Sequence, residues 1–196
     1  DPGLLSTGIV AQACHSLAAS DMSFTIYSDV QADPPEAVVI SAAAFARDQQ
    51  IDGVVGLGGG SSMDVAKLIA VLASGREDIA QLLESIYGID LVFGDRLPLI
   101  QVPTTAGTGS EVTPISIVTT GATQKTGIVS KRLLPDFAIL DAQLTVGLPS
   151  HVSAATGVDA MVHAIAAFTS KVKKNIYSDM LAKQALLLLS ANIRQA

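Results

Sequence analysis

The stretch IDGVVGLGGGSSMDVAKLIAVLAS, residues 51–74, decides the fold. A short apolar run ends in three consecutive glycines, and an amphipathic helical pattern starts directly after them. A buried strand turning into a helix through bare backbone is the repeating unit of a parallel α/β sheet. Ser61 reads as the N-cap of that helix, with Asp64 at the third helical position completing a capping box. Glycine lets the backbone approach a pyrophosphate, and the positive end of a helix, with its unbonded N–H groups, favours that charge. The spacing departs from the usual dinucleotide fingerprint: Gly56 and Gly58 fit G-x-G-x-x-G, but Ser61 stands at the last position. No Gly-Lys-Ser/Thr follows, so this is not a Walker loop. A sharp turn that needs left-handed glycines is the alternative reading.

Upstream, residues 3–19 carry a helical pattern with Leu4, Leu5, Ile9, Val10, Ala13 and Leu17 on one side. SFTIYSDV (23–30) alternates like a short strand, and DPPEAVVISAAAFARDQQ (33–50) reads as a second helix. Downstream, LPLIQVP (97–103) is a strand. PISIVTT (114–120) and KTGIVSK (125–131), joined by GATQ, read as a hairpin, and DFAILD (136–141) as one more short strand. After Pro149 strand signals stop, and two apolar-rich helical segments cover about 152–170 and 178–194. The pattern implies an α/β fold: a mainly parallel nucleotide-binding sheet flanked by helices over residues 1–148, followed by the start of an all-helical second domain at 149–196.

Composition narrows the function. The net charge of −6, with no local cluster of Lys and Arg, argues against a nucleic-acid partner. A single cysteine, Cys14, makes no internal disulfide, so a reducing, cytoplasmic setting is expected. No signal-peptide pattern opens the sequence, and no run reaches the roughly 18 apolar residues that span a bilayer, so no membrane partner is expected. LAKQALLLLSANI (181–193) has four consecutive leucines and is apolar nearly all round. An uncovered face of that kind leads us to expect a homo-oligomer, in the first instance a dimer.

PTTAGTGSEVTP (103–114) is a second glycine-containing loop after a strand. Its hydroxyls Thr104, Thr105, Thr108 and Ser110 could bond a ribose, a phosphate or an amide; an ordinary turn with a helix cap would account for them equally. Two such loops at the carboxyl ends of strands in one sheet point to a nucleotide crevice. In ATGVDAMVHAIAAF (155–168), Asp159 and His163 lie four residues apart and so share one helix face. That is half a metal site, a surface ion pair or a satisfied core histidine. His15 and His151 belong to no ligand motif.

Taken together, GLGGGSSMDVAK, PTTAGTGSEVT, KTGIVSKRLLPDFAILD and AATGVDAMVHAIAAF resemble the iron-containing (group III) alcohol dehydrogenases, in that family's order and spacing. The resemblance covers nearly all of this chain and roughly the first half of a family member. It implies an N-terminal α/β domain that binds NAD(P) and a C-terminal all-helical domain that binds a divalent metal. Carried over by position, it implies that Gly59, Gly60 and Ser61 hold the pyrophosphate, with Asp64 on the same junction. Thr104, Thr105 and Thr113 would line the crevice, Lys125 would reach toward the cofactor, and Leu144 would pack close to it. Asp1 would contact the adenosine ribose; a carboxylate there accepts from a 2′-hydroxyl and repels a 2′-phosphate, which favours NAD over NADP.

The resemblance makes Asp159 and His163 the first two metal ligands, for Fe2+ or Zn2+, and places the other two, both histidines, on later helices than this sequence contains. It implies hydride transfer between a small alcohol or aldehyde and nicotinamide in the complete enzyme, and no appreciable turnover by the 196 residues alone. A glycerol dehydrogenase-like relative, or a truncated dinucleotide-binding remnant without turnover, are the competing expectations.

Overall fold

The computed structural model describes residues 1–75, 78–91 and 94–195, and these divide into two compact units, 1–103 with 110–141, and 104–109 with 142–196.

The first unit begins with a 3-10 helix, Pro2–Thr7, and then α1, Ile9–Ala19. The single helix expected over residues 3–19 is therefore two pieces. Gly8 sits between them at φ 83°, a left-handed conformation that ends one piece and starts the next. α2 (Glu36–Asp48), β1 (Val54–Gly58) and α3 (Gly60–Leu72) follow. Next come α4 (Ile79–Ser85), β2 (Gly88–Ile89), β3 (Leu99–Pro103), β4 (Ile115–Thr120), β5 (Gln124–Val129) and β6 (Phe137–Ala138). Sequence reading did not anticipate α4, whose N-cap is Asp78 accepting from the Gln81 amide.

Two sheets result. β1, β3 and β6 run parallel in that order, with Gly56 opposite Gln101 and Gly58 opposite Pro103. The hairpin β4–β5 is antiparallel and carries β2 along its β5 edge. Residues 23–30 are not a strand, contrary to their alternation. Period-two patterning states which side chains could face inward, not whether a neighbour exists, and none of the six described strands lies beside this segment. Phe24 and Ile26 accordingly stay 45% and 47% exposed.

α3 is the central beam. From Ser62 to Leu72 every residue except Asp64 is buried. One face packs on Val39, Ala42, Ala43 and Ala46 of α2 through Val65, Leu68, Ile69 and Leu72. Another meets the sheet through Ala66 and Ala70 against Leu99. Arg47 of α2 donates from Nε to the Leu72 carbonyl at 3.0 Å, satisfying a carbonyl that a helix end leaves unpaired.

The β3–β6 register is fixed by an ion pair. Arg96 grips Asp136 through Nη1–Oδ2 at 2.8 Å and Nη2–Oδ1 at 2.9 Å, while the Leu99 amide donates to the same carboxylate at 2.8 Å. The Arg96 hydrogen bonds first, then the Leu99 amide, hold the Asp136 carboxyl below its ordinary value of 3.8. A carboxylate with a depressed folded pKa stabilises above the unfolded value and loses that contribution as pH falls through the folded one. Asp136→Asn should therefore lower the urea midpoint at neutral pH and leave a smaller further loss at about pH 3 than the parent shows. Equal acid sensitivity in both chains would contradict this assignment.

The second unit holds a 3-10 turn, Ala142–Thr145, and two helices, α5 (Ser150–Thr169) and α6 (Ile176–Asn192), which pack on each other. Asn175 caps α6 in a reciprocal capping box with Ser178. Two close approaches shape this unit. A Cβ at Gly157 would lie 2.9 Å from Ile193 Cδ1, and one at Gly107 only 2.7 Å from the Thr156 carbonyl oxygen, so the 104–109 loop rests directly on α5 backbone. Little else is covered: α5 buries Gly157 and Ala164, and α6 buries Ala182. Leu181, Leu187 and Leu188 are 64%, 64% and 56% exposed, the apolar face expected from the leucine run. By length and composition alone α5 could cross a membrane, which the sequence reading had not anticipated.

Candidate functional site: a glycine loop braced by a buried ion pair

β1 ends at Gly58 with φ 148°, a backbone conformation that L side chains rarely adopt. Gly59 is extended, and α3 begins at Gly60, ahead of the Ser61 cap expected from sequence. Ser61 lies inside the helix, and no side chain caps α3. The capping box is therefore absent: Ser61 does not cap, and Asp64 turns elsewhere. The physical reason is the third glycine, which lets the chain enter helix geometry before a hydroxyl is available. An uncapped N-terminus of a thirteen-residue helix at the end of a parallel strand offers free amides and a positive dipole end to an anion. Gly59, Gly60 and Ser61 all sit there. The loop is tightly built on one side, since a Cβ at Gly58 would come 2.7 Å from Ser62 Oγ and 3.3 Å from Leu4 Cδ1.

Below this loop lies a buried polar network that the motif reading missed. Lys67 is fully buried. Its Nζ donates to the Ile115 carbonyl at 2.6 Å, Ser110 Oγ at 2.8 Å and Thr113 Oγ1 at 3.2 Å, with Asp64 Oδ1 at 3.4 Å. Asp64 in turn accepts from the Ser110 hydroxyl at 2.6 Å and the Ile117 amide at 2.9 Å. The Ser116 hydroxyl donates to the Asp64 carbonyl at 3.1 Å. Burial pushes the Lys67 ammonium below its ordinary pKa, while Asp64, by charge and hydrogen bond, and the Glu111 charge oppose that shift. The signal was present in the sequence: DVAKLIAVL sets an aspartate and a lysine three residues apart on an otherwise apolar helix.

Other residues implied by resemblance fall in both units. Thr113 joins this network in the first unit. Lys125, on β5, pairs with Asp33 at 2.6 Å with both side chains exposed. The Asp1 carboxylate accepts from the Gly3 amide at 2.8 Å. Thr104, Thr105 and Leu144 belong to the second unit; Thr104 is 2% exposed, and Thr105 Oγ1 is buried without a hydrogen-bond partner among the described residues. Asp159 and His163 share one face of α5, with Oδ2 and Nε2 3.6 Å apart and side chains 45% and 62% exposed. A carboxylate oxygen and an imidazole nitrogen at that spacing suit two positions of a divalent-metal site. Among the described residues no third His, Cys, Asp or Glu joins them.

A groove of about 790 Å³ in the first unit lies at the other end of β3, lined by Arg96, Lys131, Arg132, Asp136 and Phe137 among others. Its lining includes none of the residues expected to contact cofactor or metal, and ligands of parallel sheets bind at the carboxyl ends of strands.

The sequence model of the family described as iron-containing alcohol dehydrogenase matches residues 1–142. Long-chain-alcohol dehydrogenase 1 of Geobacillus thermodenitrificans is 44% identical over 196 residues, which is 100% of this chain and 49% of that protein. The crystal structure of a 1,3-propanediol oxidoreductase superposes with a TM-score of 0.92 at 37% identity, covering 100% of this chain and 50% of the other. That of sulfoacetaldehyde reductase from Bifidobacterium kashiwanohense in complex with NAD+ gives 0.84 at 33% identity, covering 98% and 50%. The chain spans about half the length of the curated relatives it matches.

Proposed function

Because the chain belongs to the iron-containing alcohol dehydrogenase family, we propose that it is the cofactor-binding part, with the first metal ligands, of an NAD-dependent alcohol dehydrogenase acting on a primary or small alcohol or its aldehyde. One observation carries the cofactor assignment: the uncapped start of α3, fed by Gly58–Gly60 at the carboxyl end of a parallel strand. Its amides would bond the pyrophosphate oxygens. Asp1 would select the 2′-hydroxyl of NAD, and Thr104, Thr105, Thr113, Lys125 and Leu144 would complete the contacts. We assign residues 1–148 to the dinucleotide-binding domain and 149–196 to the beginning of the helical metal-binding domain. The protein would work in the cytoplasm as a homo-oligomer.

Asp159 and His163 would hold Fe2+ or Zn2+, a cation that when bound supplies Lewis-acid polarisation of an alcohol oxygen. Catalytic sites use at least three protein ligands, so two alone hold a cation weakly, and the chain is expected to bind cofactor without turnover.

Calorimetric titration tests the assignment. NAD should bind the parent chain whether or not a chelator is present. Asp159→Ala with His163→Ala should lower zinc affinity by roughly tenfold or more and leave NAD affinity unchanged, since each ligand contributes directly to the metal alone. Absence of NAD binding would remove the proposed role.

A further inference from the structure

Asp64 stands on the phosphate-loop helix, where a carboxylate facing a pyrophosphate would repel it. Its oxygens point instead into the unit, engaged by the Ser110 hydroxyl, the Ile117 amide and Lys67. The pair is not arranged chiefly for mutual attraction. Lys67 and Asp64 are 3.4 Å apart, whereas each makes its shorter bonds to the same eight-residue segment: Lys67 to Ser110 and Ile115, Asp64 to Ser110 and Ile117. Two helix residues one turn apart thus cross over a single segment and pin both of its ends.

A buried ion pair is seldom the most stable filling for a core, because desolvating two charges offsets most of their attraction. An apolar pair of equal volume would fill this space without directional demands. Charged donors and acceptors, by contrast, permit one arrangement of the partner segment, since every other leaves a buried charge short of bonds.

We propose that Asp64 and Lys67 are positioning residues for the cofactor. They form a buried polar staple that holds residues 110–117 against the first two turns of α3, so that the glycine loop and Thr113 stand in fixed register before a dinucleotide arrives. The proposal rests on the reading of Gly59–Ser61 as the pyrophosphate site. Neither side chain touches the cofactor; both act through the segment they hold.

The test compares NAD affinity by calorimetry with urea denaturation for the full chain and three variants. Lys67→Met leaves Asp64 buried and uncompensated, so it should lower the urea midpoint and weaken NAD binding at least about tenfold. Asp64→Asn with Lys67→Met removes both charges and should recover most of the midpoint, while NAD affinity stays about tenfold weak because the directional bonds are gone. Ser110→Ala, which leaves both charges in place should the first variant fail to fold, takes one bond from each of them and is expected to lower the midpoint less than Lys67→Met does while costing about fivefold in affinity. A double variant that regains both the midpoint and parental NAD affinity to within about twofold would overturn the proposal and leave the pair a stabilising contact only. It is equally overturned if the parent binds NAD and every folded variant binds it as tightly. A parent chain that fails to bind NAD defeats the reading of the glycine loop, and the staple's role falls with it.

Discussion

Gly58→Ala should lower the stability of the chain by about 3 kcal/mol and weaken NAD binding by at least about tenfold. Two separate costs combine. The backbone at Gly58 has φ 148°, a region that an L side chain enters only with strain. The new methyl group would also lie 2.7 Å from Ser62 Oγ and 2.8 Å from Ser62 Cβ. Ser62 is itself buried in the first turn of α3, so it cannot swing away into solvent. Relief requires either β1 to bend or the first turn of α3 to unwind. Both displace the amides of residues 59–61, which is why stability and affinity should fall together. Urea denaturation measures the first and calorimetry the second. An alanine variant with parental values in both would mean that the loop is compliant and that its conformation is not what binds the cofactor.

The strand–glycine–helix unit was legible because its two signals agree: an apolar run too short for a helix, then a 3.6-residue period with no breaker. Local chemistry was less legible. Ser61 and Asp64 fit a capping box by spacing alone, yet a helix that can start on glycine does so wherever backbone permits, and Asp64 found partners more than forty residues away. Sequence spacing reports on neighbours along the helix and is silent about segments that return from afar. Residues 23–30 failed for a related reason, since alternation describes a strand's faces while its hydrogen bonds belong to another strand. Asp159 and His163 share one face because i and i+4 meet on every helix, and both side chains are substantially exposed on α5.

The middle of β1 supports the last expectation. Gly56 lies directly across from Gln101 in the parallel register, and a Cβ there would sit 2.1 Å from Gln101 Oε1 and 2.8 Å from Ala66 Cβ. Gln101 is fully buried; its Nε2 donates to the Met63 carbonyl at 3.0 Å, and its Oε1 has no partner among the described residues. The absent side chain at 56 is therefore the space into which the amide folds to tie the sheet to α3. Gly56→Ala should cost about 3 kcal/mol, because the amide must leave its bond to Met63 or the helix must lift from the sheet. Gln101→Ala alone should cost about 2 kcal/mol, from the lost bond and the void it leaves. The double variant distinguishes cause from coincidence. With the amide gone, the methyl at 56 partly fills the vacated space and only the Ala66 approach remains, so the combined loss should fall at least about 1 kcal/mol short of the sum. Urea denaturation of the four chains closes the cycle. Strict additivity would place the penalty at Gly56 on Ala66 instead and show that Gln101 takes no part in seating α3 on the sheet.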